Sequence, residues 1–149
     1  MTIIQESVKV VYTARQMYDL VNDVTAYPRY LPLCSAVKLH AQGARSLKAT
    51  LTFGSGHLRL SFTTYNTMEE GERIDMKLVD GPFQRFRGQW VFEPAPVDGC
   101  TISFYLDYEF ASGLLGLALS GPFKKAAGQF VDAFCREADL KFKNNPSLA

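Results

Sequence analysis

Cysteine is scarce: the 149 residues contain three, Cys34, Cys100 and Cys135, an odd number with no C-x-x-C spacing among them. That argues against a disulfide framework or a structural zinc site and leaves buried free thiols in a reducing compartment as the expectation. Histidine is scarcer still. His40 lies on the polar parity of its segment and His57 follows the turn Gly54-Ser55-Gly56, so both read as solvated side chains rather than catalytic ones. No charge of one sign dominates, because sixteen basic residues face fifteen acidic ones for a net charge of +1. Such a balance exerts no global pull on nucleic acid, and DNA is not an expected partner. No apolar run approaches the ~18 residues of a membrane span. Met1 to Tyr12 alternates apolar and polar residues instead of forming a signal-peptide core or an Arg-rich presequence. A cytoplasmic protein is the expectation. Repeats, low-complexity tracts and linkers are also lacking, which implies a single domain over 1–144 and a flexible tail over 145–149.

What is present is periodicity. The first segment places Ile4, Val8, Val10 and Tyr12 on one parity, as in a strand. Thr13 is a helix cap for Ala14 to Asn22, and the prolines at 28 and 32 allow only a second, short helical turn. From Ser35 onward the period is two. Val37 and Leu39, then Leu47, Ala49, Leu51 and Phe53, then Leu58, Leu60 and Phe62, each alternate with polar residues between turn signals. Ile74, Met76 and Leu78 follow, then Phe86, Trp90 and Phe92, and last Ile102, Phe104, Leu106, Tyr108 and Phe110. Seven strands with one apolar face make a curved antiparallel sheet. From Pro122 to Asn144 the step changes to three and four: Phe123, Ala126, Ala127, Phe130, Phe134 and Ala138 form one stripe, opposite Lys125, Gln129, Asp132, Arg136, Asp139 and Lys143. The spacing predicts one continuous helix of roughly 35 Å, long enough to cover the sheet. The fold class is α+β.

Leu20 to Cys34 (LVNDVTAYPRYLPLC) resembles the segment typical of the family of coenzyme Q binding proteins and RatA-type ribosome association toxins, within the START-like (SRPBCC, polyketide cyclase/dehydrase) superfamily. So do Ile74 to Phe83 (IDMKLVDGPF), Trp90-Val91-Phe92, Phe110 to Gly116 (FASGLLG) and Val131 to Phe134 (VDAF). The resemblance covers nearly the whole chain. It departs at Cys135-Arg136-Glu137-Ala138, where the family more often has a basic ending. It implies a helix-grip fold, with a curved seven-stranded sheet wrapped around a long C-terminal helix and two short helices after strand one. It also implies a cavity for a hydrophobic molecule. Three functions come with it: binding of ubiquinone or a similar polyprenyl quinone in support of respiration, inhibition of ribosomal subunit association, and polyketide cyclisation or dehydration.

No acid, base, nucleophile or metal cluster stands out on the apolar parity, so a non-enzymatic carrier that requires no cofactor is the expectation. Cys34 reads as a packed thiol. Candidate lining residues for the ligand are Phe62, Met76, Trp90, Phe104, Tyr108, Ala127, Phe130 and Phe134. Ala126 and Ala127 leave space on the helix, and Tyr108 and the Trp90 indole offer polar contacts to a quinone carbonyl. Three apolar edges are expected to meet at the cavity mouth: Tyr30, Leu31, Pro32 and Leu33; Phe83; and the leucine-rich loop with Leu114 and Leu115. A mouth of that kind would touch a membrane surface transiently, at the inner face. For a ribosomal partner, Arg85 and Arg87 beside Phe83 and Phe86, together with Lys124 and Lys125, form a small basic and aromatic patch that also reads as plain solvated surface.

Overall fold

The computed structural model describes residues 2–55, 57–111 and 113–143. Strand β1 (Thr2–Val10) leads into helix α1 (Ala14–Asn22), a 3-10 turn (Val24–Ala26) and helix α2 (Tyr27–Tyr30). A meander follows: β2 (Cys34–Gln42), β3 (Ser46–Ser55), β4 (Leu58–Glu69), β5 (Arg73–Asp80), β6 (Phe83–Pro94) and β7 (Cys100–Phe110). Helices α3 (Leu114–Ala127) and α4 (Phe130–Ala138) and a π-turn (Asp139–Lys143) complete the described chain. The tail expected over 145–149 lies outside the described residues.

Thr13 caps α1 as its position predicts: its hydroxyl accepts from the Gln16 N–H at 3.0 Å while the Gln16 side chain accepts from the Thr13 N–H at 2.8 Å. This reciprocal pair closes two backbone donors that the first turn leaves open. The seven strands form one antiparallel sheet in the order β1-β7-β6-β5-β4-β3-β2. Between β5 and β6 the ladder runs only from Arg73–Val91 to Lys77–Arg87, whereas β5 stays paired to β4 up to Asp80 and β6 to β7 from Phe83. The sheet therefore splits beyond Lys77.

The expected single helix from Pro122 to Asn144 is replaced by two. α3 begins eight residues earlier, contains Pro122 and stops at Gly128, where the backbone leaves helical geometry through Gln129 (φ −108°, ψ 2°) before α4 starts. Pro122 is tolerated because it lies on the exposed side of α3, with Ala118, whose carbonyl would have paired with the missing N–H, also at the surface. The apolar stripe nevertheless runs across the break. Phe123, Ala127, Phe134 and Ala138 are buried in the core and Phe130 packs half-buried against it, while Ala126 is buried beside them. The leucine-rich stretch is thus helix rather than loop from Leu114 onward.

Gly99 makes the closest backbone approach in the sheet. With φ at +88° it turns β6 into β7, and a methyl group there would overlap the carbonyl of Val10 on β1. Gly99→Ala therefore combines a left-handed backbone with a steric clash. We expect it to cost about 2 kcal/mol or more of stability, measured by urea unfolding against the parent chain.

Candidate functional site

Alternation along each strand sends one set of side chains inward, and there they meet the helices around a small apolar cavity. β3 contributes Ala49, Leu51 and Phe53; β4 contributes Phe62, Thr64 and Asn66; β5 contributes Met76. β6 adds Phe86 and Trp90, and β7 adds Phe104 and Leu106. Val24, Tyr27 and Leu31 close it from the short helices, and Phe123, Phe130 and Phe134 from α3 and α4. The rings interlock: Trp90 stacks on Phe104 at 4.3 Å and meets Phe134 edge-on at 5.2 Å. The free volume is about 50 Å³. An apolar cavity that takes up benzene measures roughly 150 Å³, so this one holds less than a single aromatic ring.

Six of the eight lining residues expected from sequence, Phe62, Met76, Trp90, Phe104, Phe130 and Phe134, surround this cavity. Tyr108 and Ala127 are buried but stand outside it. Tyr108 belongs to a second aromatic cluster, packed edge-on against Phe123 at 5.0 Å and Phe83 at 6.0 Å. Phe83 is therefore not a rim residue. Its ring is buried between Phe62, Phe86, Phe110 and Phe123, because the turn at Gly81 folds against Phe62. Of the other expected mouth residues, Leu31 lines the cavity, Tyr30 packs edge-on against Tyr27 and Phe134, Pro32 is half-buried and Leu33 is exposed. The side chains of Leu114 and Leu115 lie outside the described residues.

Two polar groups on this wall escaped the sequence reading. Thr64 and Asn66 are buried among the apolar lining, and the Asn66 side-chain carbonyl has no hydrogen-bond partner. The one available signal was parity, since both continue that of Leu60 and Phe62 along β4. An unpaired buried amide costs about 1–3 kcal/mol, which makes Asn66 an unusual residue for a purely structural interior.

A second polar group stands at the edge of the cavity. α2 is tied to α4 by Arg29, which donates to the buried carboxylate of Glu137, and the Tyr30 hydroxyl beside them is buried without a partner. Burial, and then the charge of Glu137, push the Tyr30 phenol well above its ordinary range. Burial likewise raises the Cys34 and Cys100 thiols to about 11. Both are therefore protonated near neutral pH and poorly nucleophilic. His40 is exposed and contacts the Thr50 hydroxyl at 2.6 Å. Among the described residues no three His, Cys, Asp or Glu side chains cluster as metal ligands do. No described helix is long and apolar enough to cross a membrane.

The basic and aromatic patch expected around Arg85 does not exist as a unit. Phe83 and Phe86 face inward, and Arg85 is held at 3.0 Å from Asp107 and 3.6 Å from Glu109.

A curved sheet closed by helices over an apolar hollow, with isolated polar groups inside, defines the START-like class of domains. Residues 10–135 match the family described as polyketide cyclase / dehydrase and lipid transport, and the chain belongs to it. It is 39% identical over 137 residues, 92% of this chain and 95% of the other, to a protein of Pseudomonas aeruginosa called ribosome association toxin RatA. It is 27% identical over 130 residues to the mitochondrial coenzyme Q-binding protein COQ10 of Drosophila melanogaster, which spans 85% of this chain and 54% of that protein. Its fold superposes on a START superfamily protein from Mycobacterium smegmatis with a TM-score of 0.75 at 17% identity, covering 93% and 97% of the two chains. The family resemblance and the helix-grip architecture read from the sequence are both borne out.

Two outcomes follow from the interior. Asn66→Leu removes the unpaired amide at nearly constant volume and is expected to raise unfolding stability by about 1–3 kcal/mol; a loss of stability would mean that the amide has a partner. The raised thiols make stability fall as pH rises from the ordinary thiol value of 9.0 towards 11, because only the unfolded chain ionises freely in that window. Chemical unfolding between pH 8 and 11 measures this.

Proposed function

We propose that the chain reversibly binds an apolar molecule with a polar head, of the polyprenyl quinone type, and acts as a carrier rather than by chemistry. The observation that carries this reading is the unpaired amide of Asn66 on an otherwise apolar wall. An amide offers an acceptor and, when rotated, two donors. It therefore suits both the carbonyl of a quinone and the hydroxyl of a quinol. The family's description includes lipid transport, and the relative at 27% identity bears the name coenzyme Q-binding protein. With only about 50 Å³ free, loading must push side chains apart. Met76 is suited to this, being flexible and seated over Gly88, where a Cβ would strike its terminal methyl. Ligand delivery would take place at a membrane surface along α3, which carries no acidic residue, exposes Leu117 and Ala118, and ends with Lys124 and Lys125.

Trp90 is the single tryptophan and lines the cavity, so it reports occupancy directly. Liposomes containing ubiquinone should quench its fluorescence, and quinone-free liposomes should not. Ala49→Leu, which fills the cavity, and Asn66→Leu, which removes its polar group, should each weaken the quench about tenfold or more. Quenching equal in all three proteins would remove the cavity from this account.

A second reading is favoured by the relatives that share 36–39% of their residues with this chain and are called ribosome association toxin RatA. On that reading the folded domain binds a ribosomal subunit and keeps the two subunits apart. Sucrose-gradient profiles of subunits mixed with the purified chain test it: a shift from joined to separate subunits supports it, and unchanged profiles discard it.

A further inference from the structure

The outer face of the sheet carries an arrangement that the interior does not explain. Along β2, β3 and β4 the only acidic residue is Glu69, at the end of β4, while Lys38, Lys48 and Arg59 are basic. The register then aligns one row across four strands: Lys48 pairs with Tyr65, Tyr65 with Lys77, and Lys77 with Arg87. Lys77 and Arg87 are both exposed and directly opposite each other, a like-charge placement that weakens a sheet.

Each nearby acid is engaged elsewhere. Asp75 accepts from Arg73 at 2.9 Å and from the Gln89 amide at 2.8 Å. Asp107, opposite Arg87 on β7, binds Arg85 instead. Among the described residues Lys48, Lys77 and Arg87 thus form no ion pair. Between the two cations Tyr65 remains 43% exposed. Beside the row lies a hollow of about 460 Å³ lined by Thr67, Asp75, Met76, Lys77, Arg87, Gly88, Gln89 and Tyr105, in which the one carboxylate, Asp75, is already held by Arg73 and Gln89.

We propose that this row is a binding surface for single-stranded RNA, with Lys77 and Arg87 on a phosphate, Lys48 on its neighbour and a base stacked on Tyr65. A phosphate placed between Lys77 and Arg87 turns their repulsion into attraction, and an exposed tyrosine flanked by cations provides the stacking platform that unpaired bases use. The Thr67 hydroxyl and the carbonyl oxygen of Gln89, whose amide nitrogen is held by Asp75, offer hydrogen bonds to a base or ribose. Lipid headgroups would use the cations but not the ring. The proposal rests on the ribosome reading above for its biological setting, and not on the quinone reading.

The test uses fluorescence anisotropy of the full chain with a fluorescein-labelled oligouridylate at several salt concentrations. The parent chain should bind with an affinity that falls as salt rises. Lys77→Glu and Tyr65→Ala should each weaken binding about tenfold. Lys77→Glu should meanwhile raise the melting temperature by about 1–3 °C, because it creates a cross-strand ion pair with Arg87. No binding by the parent chain, or variants that bind as it does, overturns the proposal. Sucrose gradients of the same proteins separate the two ideas. A parent chain that splits subunits equally well as Lys77→Glu leaves the ribosome reading standing and removes this surface. Variants that fail on subunits, from a parent that ignores naked RNA, show that the row meets a protein.

Discussion

Phe134 is the ring through which the short helices, the C-terminal helix and the sheet meet. Its ring meets Tyr27 at 5.4 Å, Tyr30 at 5.7 Å and Trp90 at 5.2 Å, each near edge-to-face. It thereby joins α2, α4 and β6 at one point. The remaining architecture depends on that junction, because a sheet with one apolar face is stable only when covered. The Arg29–Glu137 pair reinforces the same junction from the rim. The break at Gly128 lets α3 and α4 follow the curvature of the sheet separately, so Phe123 reaches Phe62 and Tyr108 at one end while Phe134 reaches Trp90 at the other.

Strict alternation separates two chemistries on one sheet. Inward positions hold aromatic and aliphatic groups around Thr64 and Asn66. Outward positions hold hydroxyl pairs such as Thr50–Thr63 and Thr52–Ser61, together with the cationic row. Because neighbouring residues face opposite ways, each face can vary while the other is preserved. This is a physical basis for a family whose relatives carry names drawn from lipid transport, quinone binding and ribosome association.

The strands, α1 with its Thr13 cap, and most of the cavity wall were legible because burial imposes a period of two or of 3.6 on the residues themselves. The helix break was not. The stripe from Phe123 through Ala127 to Phe134 keeps its phase across Gly128, and Pro122 looks like a first-turn proline when its exposed side is unknown. Phe83 looked like part of a rim because the fold of the Gly81 turn onto Phe62 is a tertiary event. Asn66 shares the inward parity of Leu60 and Phe62, but a polar residue late in β4 breaks the apolar alternation that marks a buried face, so its burial is visible only in the fold. The cationic row was hidden for another reason: Lys48, Lys77 and Arg87 are far apart in sequence, and only the register brings them together.

The place of β1 has a consequence for how the chain acquires this shape. β2 to β7 are joined by short turns, so each can pair with its predecessor soon after the first hairpin closes. β1 instead pairs with β7, Thr2 opposite Tyr108 and Val10 opposite Cys100. Closing so large a loop carries an entropic cost that local hairpins avoid, and contacts of this range slow folding. Of the seven strands, the one synthesised earliest is therefore the one that must wait longest for its partner. Until β7 has emerged, the alternating segment from Thr2 to Val10 stays an unpaired strand with its apolar parity uncovered.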